Sequence, residues 1–405
     1  MHNDLSRRFS WLTFLFSTFL FISCEESSIE NDINPDEYLL DYELLDTFEA
    51  SQLRTLISLF DPDVNTEVIL YDIDVYRVSY LTQYQGETTE ASGLICMPAA
   101  ARVVNFPFFL GFHASISSHA EAPSLFSNPL GTGLEFFGSL GYITLIPDYV
   151  GFGDATEFLH PYLVRESVTS VSTDMVKAAA EMMTTLEQTY VNELYMAGYS
   201  QGAYNAMAFL YALENENILP NWEIVATAAG GGTYVLSSLT ADIINNDVYS
   251  SPELLAFLIW SYHTYYNLAG DAGQYFQEPY ASLIPDLFDG NLTLGEIKSQ
   301  LTPDLSQLLK KDFLDDFRNG DENTISNLLQ ENSVPAWAVD SPVNLLHTPD
   351  DEVLNISNSQ KFLTQLENAG ASNITFTPLV ASSHRQAVIP MLVTTIFWMQ
   401  NFQGA

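Results

Sequence analysis

The chain has 405 residues, enough for one large α/β domain with an insertion or for two domains. It is 47% hydrophobic and 13% aromatic, which supports a sizeable core. Its 13 Lys and Arg stand against 51 Asp and Glu, and the net charge of −38 repels phosphate backbones and excludes nucleic acid as a partner class.

At the amino terminus Arg7 and Arg8 precede an apolar run from Trp11 to Ile22. That run is too short to span a bilayer, which needs about 20 residues, and it fits the basic and apolar regions of a secretory signal. The tail Phe21-Ile22-Ser23-Cys24 resembles the bacterial lipobox, in which the cysteine becomes the lipid-modified first residue after cleavage. A Sec leader cleaved elsewhere is the competing reading. Twin-arginine export is the weaker option, because Ser6-Arg7-Arg8 lacks the rest of that motif. Residues 1–23 are thus expected as a leader and 24–37 as an acidic tether too poor in apolar residues to fold. The organisation implies an exported body, lipid-anchored through Cys24 to a bacterial membrane, the outer membrane or the cell surface. The other cysteine, Cys96, lies in a strand-like stretch and reads as a buried free thiol.

From Tyr38 to Phe60, Leu44, Leu45, Phe48, Leu53, Leu56 and Leu59 fall at helical spacing, which predicts a helical arm. Residues 72–83 and 88–97 read as strands of a hairpin about Gly86. The runs 107–113 and 142–146 are apolar on both faces, as strands of a buried, mostly parallel sheet are. Val168, Val171, Met175, Ala179, Met182 and Leu186 recur at three- and four-residue steps, an amphipathic helix. It leads to a short apolar run ending at Gly198-Tyr199-Ser200-Gln201-Gly202, followed by a helical pattern to Leu213. Gly-x-Ser-x-Gly between strand and helix is a nucleophile elbow: the turn strains the serine backbone, lifts its Oγ clear of the sheet and aims the next N–H, that of Gln201, at an incoming carbonyl oxygen. Strand, helix, elbow strand and helix follow the order of a doubly wound sheet.

Together with the elbow, the blocks Ile146-Pro147-Asp148-Tyr149-Val150-Gly151-Phe152-Gly153-Asp154, His160-Pro161-Tyr162 and residues 332–353 resemble the α/β-hydrolases, and within them the secretory lipase and esterase group. The resemblance runs from about Arg77 to the end and is weakest between Gly232 and Glu331. It implies an α/β-hydrolase fold with a mostly parallel sheet and a helical cap: core 38–231 and 332–405, cap 232–331. In this fold the acid and then the base follow the serine in the chain. Of the histidines after Ser200, His263, His347 and His384, only His384 lies beyond an acidic loop that ends a late strand. Relatives show His-Gly-x-x-Asp and then Asn-Ser. Counting from His347 gives Asp351, with Asn358-Ser359 in register, and Asp350 stays as the alternative because Thr348 and Asn355 depart from the pattern. A second oxyanion amide is expected from the loop after the third strand, where relatives often read His-Gly-Thr and this chain has His113-Ala114-Ser115. Ser115 is the donor by count, with Ala114 as the alternative.

Asp148, Tyr149, Asp154, His113, His119 and His160 match no metal-ligand spacing. Asp148 and Tyr149 are expected to shape the carboxyl edge of the sheet beside Ser200, and Asp154 and His160 to hold a loop. Between the strands at 224–229 and 342–347 the chain supplies over a hundred residues, opened by Gly230-Gly231-Gly232. Helices are expected at 253–268, 294–301, 306–317 and 324–329. The cap's aromatics, Phe257, Trp260, Tyr262, Tyr265, Tyr266, Tyr275, Phe276 and Tyr280, are expected mostly in its own core, with a remainder lining an acyl pocket. The expected activity is hydrolysis of a small-molecule or lipid ester by a Ser200–His384–Asp351 triad, with no cofactor. A serine peptidase on the same scaffold and a non-catalytic surface lipoprotein are the rivals.

Overall fold

The computed structural model describes residues 37–60, 65–100, 104–319 and 324–403. The expected leader, Cys24 and all but the last residue of the tether lie outside them. The described strands are β1 (Leu39–Phe48), β2 (Asp72–Tyr84), β3 (Glu87–Ala99), β4 (Phe106–Phe112), β5 (Ile143–Pro147), β6 (Tyr190–Tyr199), β7 (Glu223–Gly230), β8 (Val343–His347) and β9 (Ile374–Pro378). They form one sheet in the order β1-β2-β3-β5-β4-β6-β7-β8-β9. The first three strands and the β3–β5 pair are antiparallel, and every pairing from β5 to β9 is parallel.

The hairpin about Gly86 forms as its sequence requires. Gln85 and Gly86 both take positive φ (52° and 82°), and Tyr84 pairs with Glu87, the two-residue turn whose twist matches that of the flanking strands. The central strands are apolar on both faces because each face meets a separate core. Phe108, Leu110 and Phe112 of β4 with Leu194 and Met196 of β6 join one cluster, while Phe109, Tyr195 and Ala197 join the other. Helices α1 (Ala50–Phe60) and α2 (Phe136–Ser139) contribute Leu53 and Phe137 to the second cluster. Helices α3 (Arg165–Thr185) and α4 (Gln201–Glu216), which link β5 to β6 and β6 to β7, pack in the first.

The expected helical arm is corrected. Residues 39–48 are a strand, and only α1 is helical. The β1–β2 register shifts between Leu39 and Asp41 and again between Leu44 and Asp46. Each bulge adds a residue to the two-residue alternation, so Leu39, Tyr42, Leu45 and Phe48 are the sheltered positions while Leu40 and Leu44 are exposed. A spacing of three results, and in the sequence it imitates a helix. The strand is pinned at its start by the Glu181 carboxylate of α3, which accepts the amides of Tyr38 and Leu39 at 3.0 and 2.8 Å.

Between β7 and β8 the cap comprises α5 (Leu236–Ile244), α6 (Pro252–Tyr265), α7 (Tyr280–Leu287), α8 (Leu294–Lys298), α9 (Leu305–Leu308), α10 (Lys311–Asn319) and α11 (Thr324–Asn332). The helix expected over 306–317 breaks at Leu309, because the Gln277 amide bonds Leu308 O and the Lys310 amide bonds Tyr275 O. The backbone there pairs across the cap instead of along a helix. Helices α5 and α7 were not anticipated; α7 carries Pro285 in its interior, which in the sequence reads as a breaker. Helices α12 (Ser357–Asn368) and α13 (Val388–Met399) complete the core on opposite faces of the sheet, through Phe362 and Leu366 on one side and Met391 and Met399 on the other. Among the described residues no helix is long and apolar enough to cross a membrane.

Candidate active site

The β6–α4 junction has the backbone the elbow pattern demands. Ser200 sits at φ 58°, ψ −116°, outside the regions an L-residue adopts without strain. Its amide bonds Gly230 O at 2.8 Å, which ties the turn to the end of β7. The flanking glycines are steric necessities. A Cβ on Gly198 would lie 2.2 Å from Gly202 O, and one on Gly202 would lie 2.0 Å from Phe112 O at the end of β4.

Two loops from the far end of the sheet reach this serine. His384, between β9 and α13, places Nε2 3.0 Å from Ser200 Oγ and Nδ1 2.6 Å from Asp351 Oδ2. A carboxylate only accepts, so Nδ1 carries the proton and Nε2 is left to accept from Ser200 Oγ–H. Asp351, after β8, is held by the amides of Val353 (3.0 Å) and Leu354 (2.7 Å) on its other oxygen. Burial alone would raise its pKa. Hydrogen bonds from His347 and His384, the charge of His384 and the Leu354 amide outweigh burial and hold the carboxyl well below the usual carboxylate range. Of the two aspartates left open by the sequence, Asp351 is the one brought to His384, and Asp350 is exposed. His263 is in the cap, its Nδ1 3.2 Å from Tyr275 Oη.

Several further residues fix this line. Tyr199 donates its hydroxyl to His384 O (2.7 Å), and the His384 amide donates to Glu352 Oε2 (2.9 Å). Thr348 donates to Ala381 O (2.6 Å), which clips the two loops together. His347 reaches Asp351 from behind and is itself bonded to Ser359 at 2.8 Å. Tyr199 and Glu352 had only one possible signal, adjacency to Ser200 and to Asp351.

The loop after β4 passes beside the elbow. Ser115 Oγ bonds Tyr162 Oη at 3.0 Å, and Tyr149 donates to His113 O at 3.1 Å. Among the described residues no internal backbone acceptor takes the Gln201, Ser115 or Ala114 amide. Asp148 accepts from Ser92 Oγ (2.6 Å) and the Ser124 amide (2.8 Å), and Asp154 pairs with Arg77 and Ser79 on β2. His160 donates Nδ1–H to Val150 O (2.7 Å) and accepts from Gln201 Nε2 (2.7 Å), and burial pushes its imidazole down to about 3. These groups are spent on the loops themselves. Among the described residues, no group of three His, Cys, Asp or Glu is placed to hold a metal. Cys96 is buried and unpaired, its thiol pushed up by burial.

The cavity bordering Ser200 and Gln201 has a volume of about 30 Å³ and is walled mainly by aliphatic side chains, among them Leu239, Leu254, Leu255, Leu258 and Leu354. None of the eight cap aromatics borders it. Phe257 instead stacks on Tyr162 and Phe288, and Tyr262 donates to Leu163 O, so they fasten cap to core.

Comparison with known proteins gives a consistent picture. The secretory lipase family matches residues 137–404. No match to a curated protein was found. Among solved structures, a putative hydrolase from Legionella pneumophila subsp. pneumophila str. Philadelphia 1 is 25% identical, over 91% of this chain and 100% of that one, with a TM-score of 0.82. The rice cell wall degrading esterase LipA from Xanthomonas oryzae is similar at 24% identity, over 90% and 97% of the two chains, with a TM-score of 0.77. Candida antarctica lipase A in its closed state is 13% identical, over 91% and 85%, with a TM-score of 0.62. The last two are likenesses of fold.

Proposed function

We propose, from the premise that the chain belongs to the secretory lipase family and is a serine carboxylic-ester hydrolase, that Ser200 is its nucleophile, His384 its general base and Asp351 the acid that orients the base. The observation that carries this assignment is the unbroken line Ser200 Oγ, His384 Nε2, His384 Nδ1 and Asp351 Oδ2, with steps of 3.0 and 2.6 Å. As Ser200 Oγ attacks the ester carbonyl, its proton passes to His384 Nε2, and Asp351 stabilises the imidazolium. The oxyanion is received by the amides of Gln201 and Ser115. The imidazolium then protonates the departing alcohol, and water, activated by the same histidine, hydrolyses the acyl-enzyme.

Ser359, His347 and Asp351 have the composition of a second triad, but Ser359 and His347 have no exposed surface, so no ester reaches Ser359. Kinetics on short p-nitrophenyl esters test the assignment. Ser200→Ala is expected to lose about 10⁶-fold in kcat and Asp351→Asn about 10⁴-fold, with Asp350→Asn close to the parent. Normal turnover by Ser200→Ala, or loss in Asp350→Asn with Asp351→Asn spared, contradicts it.

The domain reading is a core of 38–231 with 332–405 and a cap of 232–331, supported by the seven helices among the described residues between β7 and β8. The anchoring reading rests on the sequence of residues 1–37: a leader to Ser23, acyl chains on Cys24, and a tether from which the body hangs at a bacterial membrane. On this reading Cys24→Ala moves the protein from the membrane fraction to the soluble fraction. Retention of the variant in the membrane fraction contradicts the anchor.

A further inference from the structure

Asp351 serves two histidines with one oxygen. Its Oδ2 lies 2.6 Å from His384 Nδ1 and 3.1 Å from His347 Nε2. His347 is the last residue of β8 and is fully buried, and its ring is gripped on both sides. Nε2 also lies 2.8 Å from Leu354 O, and Nδ1 lies 2.8 Å from Ser359 Oγ. A carbonyl only accepts, so Nε2 carries a proton shared between Leu354 O and Asp351, and in the neutral ring Nδ1 accepts from the Ser359 hydroxyl. The ring is thereby locked as a donor to the acid.

We propose that His347 is a positioning residue for Asp351, with Ser359 fixing its tautomer, so that the acid of the reacting line is held from behind by a second imidazole. This rests on the reading of Ser200, His384 and Asp351 given above. Two consequences follow from the shared oxygen. Without the His347 N–H, Asp351 keeps only the two backbone amides on Oδ1 and can swing about them, which misplaces His384. Its Oδ2 charge is also no longer divided, so it holds the protonated base more tightly. The substrate side is untouched, because His347 and Ser359 have no surface. The other charged and titratable groups around the pair are Glu352, which accepts the His384 amide, and the phenols of Tyr199, Tyr234 and Tyr249. They are common to all the variants compared.

The test is the pH dependence of kcat and KM for the full chain and for His347→Leu, His347→Gln and Ser359→Ala, with folding checked by circular dichroism. His347→Leu is expected to lose about 10- to 100-fold in kcat, with KM nearly unchanged and the acid limb of kcat/KM moved to higher pH. His347→Gln, whose amide N–H reaches the same place, is expected to recover most of the rate and the position of the limb. Ser359→Ala is expected to change both in the same direction and by less. A folded His347→Leu with parental kcat and an unmoved acid limb overturns the proposal. If that variant does not fold, a Ser359→Ala enzyme identical to the parent in both readouts overturns it. Turnover surviving in Ser200→Ala would instead overturn the underlying assignment, whatever the His347 variants do.

Discussion

Ser200 occupies a backbone conformation that only its surroundings make tenable, and two buried histidines beside it are expected to make stability pH-dependent. His160 sits against Gln201, the residue after the serine, and His113 opens the neighbouring loop. Burial holds the first imidazole down to about 3 and the second to about 4. In the unfolded chain both return to about 6.5, so below that pH the unfolded state binds protons that the folded state refuses. Stability from this source is complete above about pH 6.5 and falls as pH drops toward 4 and 3, each histidine costing on the order of 2 kcal/mol at pH 5. Urea unfolding at pH 7 and pH 5 checks this. In His160→Gln the fall between the two is expected to be about 2 kcal/mol smaller than in the parent, and parallel falls contradict it. The comparison between variants cancels the titration of the many carboxylates. At this scale the sequence was legible in the residues that chemistry orders along the chain. Ser200, an acidic loop and His384 follow one another as the fold requires, and the structure brings them within hydrogen-bond reach. The Tyr199 Oη contact with His384 O acts only through space and leaves no mark in spacing, and the register that runs from His347 to Ser359 does not reveal that the two are bonded.

Among the elements, the parallel strands and their helices were legible because a strand buried on both faces is largely apolar, as β4 is throughout, β5 is but for Thr144, and β8 is but for Asn344 and His347. Strand β1 was not, since two bulges turned its alternation into a spacing of three. The cap was legible as helical but not in its joints. Its short helices end where backbone groups find partners across the cap, as at Leu309 and Lys310, and such pairings depend on tertiary contact. How the cap is fastened was equally hidden. Ser261 of α6 accepts the Tyr162 amide at 2.7 Å and donates to His160 O at 2.8 Å. Tyr204 of α4 donates to Leu163 O and to Asn332 O at the end of α11. The loop after β5 is thus bonded both to the cap and to the helix that begins at the elbow. Of the aromatics that suggested a pocket lining, Phe257 and Tyr262 serve this attachment while Trp260, Tyr275 and Phe276 pack within the cap. The cavity at Ser200 is walled by leucines together with Ile243, Tyr162 and Tyr249.

Across the whole molecule, the proposed catalysis rests on a few side chains and amides at or just beyond the ends of β4, β6, β8 and β9. The sheet order gathers those ends along one edge, which is why residues 200, 351 and 384 meet although the chain separates them widely. On the proposed assignment Ser200 becomes acylated, and the second serine near Asp351 plays only a supporting part. Peptide mapping by mass spectrometry after reaction with a fluorophosphonate tests it most directly. The account predicts one adduct, on the peptide containing Ser200, lost in Ser200→Ala and retained in Ser359→Ala. An adduct on Ser359, or none on Ser200 in protein that is hydrolysing esters, would contradict it.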